Sequence, residues 1–460
     1  MERRPPVGIA IRRSADARGP LLAGSRASPL CEARSETLSA EGRGVAHIDG
    51  KTVFTDGALA GERVLFRYLH RRGRFDEGLA DRILEPSLMR VPPRGPHFGV
   101  CGGCSLQHLA SRAQVEHKQR VLLEELLHLG QVRPETILPP IAGPLWGYRR
   151  KARLSVKYAD KKGGIVAGFK EKGGRRVADL SRCDVLHPSI GLRLNELRLL
   201  VQGLSAARAI PQLEIAVGDE ESAIVIRHLM PLSPEDEVLL KGFSARTGIA
   251  VYLQAGGPET VVRLWPPGDP MLSYYTLPGQ VEIGFLPLDF TQVNAEINRA
   301  LVERVLVLLE PLASEGVLDL FCGLGNFTLP LARHAGFVAG VEGERTLVER
   351  GRANAAANGI MNVEFLACDL ADETGELPIA ADAYDKVLLD PPRTGASRIL
   401  RRLPLGAVKR LAYVSCNPAT LARDSAVLVR EKGLRFVAAG VLDMFPHTSH
   451  VESIAVFEHA

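Results

Sequence analysis

The chain has 460 residues, 46% of them hydrophobic and 24% charged, which suits about three soluble domains that each bury a core. Its net charge of +4, from 57 basic and 53 acidic groups, neither marks nor excludes a nucleic-acid partner. No apolar run reaches the length of a membrane span, residues 1–34 read as a disordered basic tail without the apolar stretch of a secretion signal, and the 7 irregularly spaced cysteines point to a reduced, cytoplasmic thiol set rather than a disulfide scaffold.

Residues 35–94 read as all-β. GRGVAHIDGKTVF, GALAGERVLFRYL and GLADRILEPS are short β-branched runs separated by Gly and Asp-Gly turn signals. That spacing predicts a small five-stranded barrel of the oligonucleotide-binding kind. The stretch SAEGRGVAHIDGKTVFTDGALAGERV resembles a TRAM domain, an RNA-binding barrel. A Pro/Gly boundary at Pro92–Gly95 then opens an α+β central domain over residues 95–275. It begins with PHFGVCGGCSLQHL, followed by a predicted amphipathic helix from Ser111 to Gly130 with Leu122, Leu123, Leu126 and Leu127 on one face. Hairpin turns are expected at Lys162-Gly163-Gly164 and Lys172-Gly173-Gly174. Trp146 to Cys183 carries twelve Lys/Arg against three Asp/Glu. This is either a solvated hairpin face or a phosphate-facing stripe, and the other signs of RNA favour the stripe.

Residues 276–460 alternate helix and strand. Helices are predicted at Asn294–Leu309, Phe327–Ala335, Arg345–Asn358, Ser397–Leu403 and Pro418–Lys432. The strands lie at Gly316–Phe321, Phe337–Glu342, Val363–Ala367, Lys386–Leu389 and Leu411–Ser415, with two more near Phe436–Leu442 and Ile454–Glu458. Such alternation implies a doubly wound parallel sheet, with ligands bound beyond the C-terminal strand ends. The motifs fall at those ends. DLFCGLGNFTLPLA puts Gly323 and Gly325 between strand and helix, where the backbone can turn tightly and approach a ligand. Glu342 ends the next strand, placed to accept from ribose hydroxyls, so a dehydrogenase stays open at this point. CDLAD sets Asp369 where an adenine amine could donate, and LLDPPR sets Asp390 at the mouth.

Together these motifs resemble a class I S-adenosylmethionine-dependent methyltransferase domain. The resemblance implies that Gln292 (in FTQVN), Phe321, Asn326, Glu342, Asp369 and Asp390 contact the methionine, ribose and adenine parts of that cofactor. AYVSCNPATLARD places Cys416 between a strand and a helix, and a helix N-terminus is expected to lower its pKa. SCNPATLARD closely resembles the nucleophile motif of the RNA uracil-C5 methyltransferases. MFPHTSHVESIAVFE resembles that family's C-terminal motif, which implies that Glu452 is the proton acceptor. His447 and His450 are either its positioning partners, RNA contacts or satisfied loop histidines.

The nearest subgroup is the TRAM-containing 23S ribosomal RNA enzymes, whose Cys-x5-Cys-x2-Cys motif and a later Cys hold a [4Fe–4S] cluster. Here Cys101, Cys104 and Cys183 match as metal ligands, but Gly95 stands where the first cysteine belongs, with His97 or Cys31 as substitutes, zinc as another metal and a vestigial site as the plain alternative. The implied partner is 23S rRNA, free or partly assembled, with no membrane or protein partner. A tRNA uracil-C5 methyltransferase, an amino-methylating enzyme and a non-catalytic RNA-binding protein that keeps the cofactor fold are the alternatives. The last two have no use for the Cys416 and Glu452 pair.

Overall fold

The computed structural model describes residues 29–277, 279–372 and 383–459. They form two compact units. One holds the chain up to Lys118 with Lys170–Arg176 and His447–His450; the other holds Gln119–Phe169, Val177–Pro446 and the chain from Val451. Among the described residues no helix is long and apolar enough to cross a membrane.

The first unit is built on β1 (Cys31–Arg34), β2 (Thr37–Leu38), β3 (Gly44–Ile48), β4 (Lys51–Asp56), β5 (Arg63–Arg71) and β6 (Phe75–Glu85). They form one six-stranded sheet in the order β1-β5-β6-β4-β3-β2, with β4 and β6 parallel. Val53, Val64, Phe66, Ala80 and Ile83 fill its core. Gly78 is required where β6 crosses Phe66, because a Cβ there would lie 2.5 Å from the ring. The disordered-tail reading reached too far: Cys31–Arg34 pair antiparallel with β5, and the sheet has six strands where five were expected. Ion pairs of Arg63 with Glu32 (2.8 Å) and Arg34 with Glu85 (2.7 Å) fasten this extra edge. Residues 1–28 of that tail lie outside the described residues.

Helix α1 (Ser111–Glu125) gives way to a π turn over Leu126–Gly130, so the helical segment as a whole reaches Gly130, as the leucine periodicity suggested. Gln131 follows in the left-handed region (φ 52°). Gly130 packs so closely that a Cβ would sit 2.6 Å from the Ala422 carbonyl oxygen, and only glycine fits.

In the second unit, β7 (Thr136–Ile137) precedes a mixed sheet of β8 (Lys151–Ala159), β9 (Gly164–Gly168), β10 (Gln212–Val217), β11 (Ser222–Arg227), β12 (Ile249–Gln254) and β13 (Val261–Trp265), ordered β13-β12-β11-β10-β8-β9. Helices α2 (Pro188–Gly191), α3 (Leu194–Gly203) and α4 (Pro234–Thr247) join its strands, and a Ser233/Asp236 capping box starts α4. The β8–β9 turn falls at Gly163 (φ 65°), as the sequence suggested. A separate hairpin, β14 (Leu272–Leu277) and β15 (Val281–Phe285), leads to the last sheet.

That sheet uses α5 (Ala295–Leu309), β16 (Gly316–Leu320), α6 (Thr328–Ala332), β17 (Phe337–Glu342), α7 (Arg345–Ala357), β18 (Val363–Ala367), β19 (Lys386–Leu389), α8 (Ser397–Arg402), β20 (Arg410–Ser415), α9 (Pro418–Ala426), β21 (Leu434–Leu442) and β22 (Glu452–His459). The order is β18-β17-β16-β19-β20-β22-β21-β7. Strands β16 to β20 run parallel and β22 runs antiparallel to both neighbours. The doubly wound expectation holds, and the order reverses between β16 and β19, where such sheets bind ligands. The last helix was expected to run to Lys432; α9 stops at Ala426 and a π turn over Val427–Glu431 completes it.

Candidate active site

Strand β20 ends at Ser415, and Asn417 caps α9 through its side-chain oxygen, which accepts from Ala419 N at 3.1 Å. Cys416 is held in the turn between them. Asn417 Nδ2 donates to Arg393 O (3.1 Å), tying this turn to the Asp-Pro-Pro-Arg loop after β19. Farther along α9, Asp424 is fully buried and accepts from Tyr413 Oη (2.7 Å), Ala396 N (2.6 Å) and Arg423 (2.8 Å), so the end of the SCNPATLARD string knits the loop together.

Strand β22 pairs with β20 so that Ser415 opposes Ser453. Cys416 follows Ser415 and Glu452 precedes Ser453, so both lie at the same end of these adjacent strands, and Glu452 is only 3% exposed. The expected lowering of the Cys416 pKa is corrected by the structure. Burial, then the carboxylates of Glu452 and Asp390, push this thiol up, outweighing Arg393 and the local backbone. A short helix start cannot overcome two facing carboxylates in a half-buried pocket.

Asp390 follows β19, and burial pushes its carboxyl up to about 7; Gln292 Nε2 donates to it at 3.4 Å. The Gln292 segment is itself fixed from several sides. Arg150 N donates to Val293 O (2.8 Å), Lys151 Nζ donates to Pro287 O, and Leu286 N donates to Asp289 Oδ2 (2.6 Å). Burial lowers Lys151 to about 8. Within this segment Phe290 is 70% exposed.

The glycine loop begins with strain. Phe321 has φ 64°, a conformation that bulky L-residues avoid and that surrounding structure must enforce. Phe321 N and Cys322 N both donate to Val341 O, at 2.9 and 3.1 Å. Gly323 (φ 54°) and Gly325 (φ 93°) follow. Glu342, at the end of β17, accepts from Gly323 N (3.1 Å) and Glu344 N (3.0 Å), so it lies against this loop as the sequence placed it. Asp369 is exposed beyond β18, and its Oδ1 accepts from Ala371 N (2.8 Å).

Asn326 differs from expectation in what its side chain does. Its amide is locked in a reciprocal pair with Asn298 of α5, at 2.8 and 3.0 Å, and Tyr274 Oη donates to its Oδ1 at 3.1 Å. Asn298 and Tyr274 were not singled out from sequence, since partners from other elements leave no local signal. Asp319 was also missed. It is fully buried in β16, accepts from Thr328 Oγ1 (2.6 Å), and burial pushes it up to about 7. An acid inside the apolar run VLDLF is the signal that could have found it.

Among the described residues no group of three or more His, Cys, Asp or Glu side chains is arranged to hold a metal ion. Cys101, Cys104 and Cys183 are half-buried and form no disulfide. Cys101 and Cys104 belong to the first unit and Cys183 to the second. Gln107 Oε1 accepts from Gly95 N at 2.8 Å, and a Cβ at position 95 would lie 2.9 Å from that amide. Gly95 therefore offers no thiolate, and the residues present do not fit a four-thiolate cluster.

The chain is similar over nearly all its length to proteins named 23S rRNA (uracil(1939)-C(5))-methyltransferase. The protein of Alkalilimnicola ehrlichii is 53% identical over 422 residues, covering 92% of this chain and 95% of that protein. That of Dechloromonas aromatica is 50% identical, covering 92% and 98%. The chain belongs to this methyltransferase family. The family described as tRNA (Uracil-5-)-methyltransferase matches residues 284–460. The fold resembles that of Pyrococcus abyssi tRNA (uracil-54, C5)-methyltransferase in complex with S-adenosyl-L-homocysteine, with TM-score 0.70 at 22% identity, covering 93% of this chain and 100% of the other. The residues that this family model matches include the doubly wound sheet of β16 to β22.

Proposed function

We propose that this protein methylates C5 of a uridine in 23S rRNA, through a covalent adduct with Cys416. The observation that carries the reading is that Cys416 and Glu452 flank the paired Ser415 and Ser453 at the same end of adjacent strands, where the carboxylates of Glu452 and Asp390 both act on the thiol. The names of its relatives supply the substrate.

C5 of uracil is a weak nucleophile until a thiolate adds to C6. In that step the Cys416 Sγ–C6 bond forms, and the C5=C6 pair moves into an enolate that is nucleophilic at C5. S-adenosylmethionine, when bound, supplies the methyl group. Glu452 then takes the C5 proton, the C6–Sγ bond breaks and the double bond returns. Phe321, Asn326, Glu342, Asp369, Asp390 and Gln292 line the cofactor side of this reading, Asn326 through its backbone because its amide is already paired. The target base must leave any stack to reach the thiol. The N-terminal sheet is read as the TRAM-like RNA grip, acting in the cytoplasm on rRNA. No step is routed through an iron–sulfur cluster.

Cys416→Ala is expected to abolish methylation while S-adenosylmethionine still binds; retained turnover sinks the covalent mechanism. Glu452→Gln is expected to hold a methylated protein–RNA adduct, and release of free product at the normal rate removes Glu452 from its role.

A further inference from the structure

We infer that Gln114 and Ser105 are positioning residues for the proton acceptor, holding a strained strap that ends two residues before Glu452; this rests on the reading of Glu452 as the base. His447 is a non-glycine residue at φ 67°, 4% exposed. Its Cβ opposes that conformation, so its neighbours must impose it.

They do so through backbone groups. His447 O accepts from Ser105 N and Leu106 N, both at 2.9 Å. His447 N donates to Gln114 Oε1 at 2.7 Å, and Ser449 N donates to Ser105 Oγ at 3.0 Å. Gln114 is 1% exposed near the start of α1. Its Nε2 also donates to Leu109 O (2.7 Å) and Leu106 O (3.1 Å), with His447 Nδ1 at 3.3 Å. An amide nitrogen has two protons, so the two carbonyls use them and the ring contact is the weakest of the three. One buried side chain thereby fixes both the Ser105–Leu109 segment and the strap.

On the strap's other side, Tyr148 Oη donates to Pro446 O at 3.0 Å. The segment is therefore held at Pro446, His447 and Ser449, and Val451 separates its end at His450 from Glu452, the first residue of β22. Glu452 also pairs with Leu442 of β21, so its backbone is held by that strand and is joined through Val451 to the strap. Proton transfer is sensitive to such displacement, and an ångström of misplacement can cost about a hundredfold.

The test follows the decay of the covalent protein–RNA adduct in the full-length protein, with labelled methyl donor and a 23S rRNA fragment. Gln114→Leu is expected to slow adduct decay by about tenfold while leaving S-adenosylmethionine affinity unchanged. Ser105→Ala, which loses only the bond from Ser449 N, is expected to show the same signature at smaller size and guards against a folding defect in the first variant. Adding His447→Gly to Gln114→Leu is expected to recover decay, because glycine holds this φ without steric cost. Adduct that decays at the wild-type rate in both single variants overturns the inference. So does a double variant that decays no faster than Gln114→Leu alone. If Glu452→Gln traps no adduct, the base assignment itself fails, a result distinct from either.

Discussion

Replacing Asn298 with alanine isolates the contribution of α5 to the glycine loop. Asn298 is 2% exposed, and its amide makes two bonds to Asn326, at 2.8 and 3.0 Å. The substitution leaves the half-buried Asn326 Nδ2 without that acceptor, while Tyr274 Oη still serves its Oδ1. Stranding a fully buried amide donor costs about 1–3 kcal/mol, so for this half-buried one ~2 kcal/mol is the upper limit of the expected loss. If all of it falls on the ordered loop, affinity for S-adenosylmethionine weakens by about 30-fold at most, since ~1.4 kcal/mol is a factor of ten. The assay is calorimetric titration of the cofactor beside a thermal melt. Weaker binding with a Tm lower by a few degrees supports the pair as the anchor of the loop. A lowered Tm with affinity held within about twofold would show that the pair serves the core alone, and refute the reasoning.

Two further expectations concern protonation. Glu452→Gln removes a negative charge that raises the Cys416 thiol, so the pH profile of Cys416 alkylation should move to lower pH; an unmoved profile means the two side chains do not feel each other. For Asp319, the folded pKa of about 7 exceeds its ordinary value of 3.8, so the native state binds more protons than the unfolded chain between those limits. Stability should fall as pH rises from about 4 to 7 and flatten in Asp319→Asn, which urea melts across that window would check; equal slopes in both proteins would count against it.

Much of the catalytic sheet was legible. Phe337–Glu342, Val363–Ala367 and Lys386–Leu389 have the limits read from their apolar runs, because buried parallel strands flanked by helices leave an unbroken pattern. Asn294 was read as the start of α5 and is its cap. Features made by distant residues were not legible. The direction of the Cys416 shift depends on burial and then on Glu452 and Asp390, which come from distant parts of the chain. The pairing of Asn326 with Asn298 needs α5 and the glycine loop side by side. Cys31–Arg34 looked like tail because a short edge strand owes its structure to its neighbour rather than to its own four residues. The change from α to π winding at Leu126 is likewise a feature that leucine spacing does not encode.

The division of the chain bears on how such an enzyme can be taken apart or recombined. The polypeptide passes between its two compact units at 118/119, 169/170, 176/177, 446/447 and 450/451. No single cut releases either unit whole, and a truncation after Lys118 deprives the first unit of Lys170–Arg176 and His447–His450. A swap of the N-terminal sheet for a different module must therefore also redesign His447–His450, ahead of the last strand. Modularity at the level of the gene is not matched by modularity of the folded chain, and chimeras of this family should be built around interleaved segments rather than at a linker.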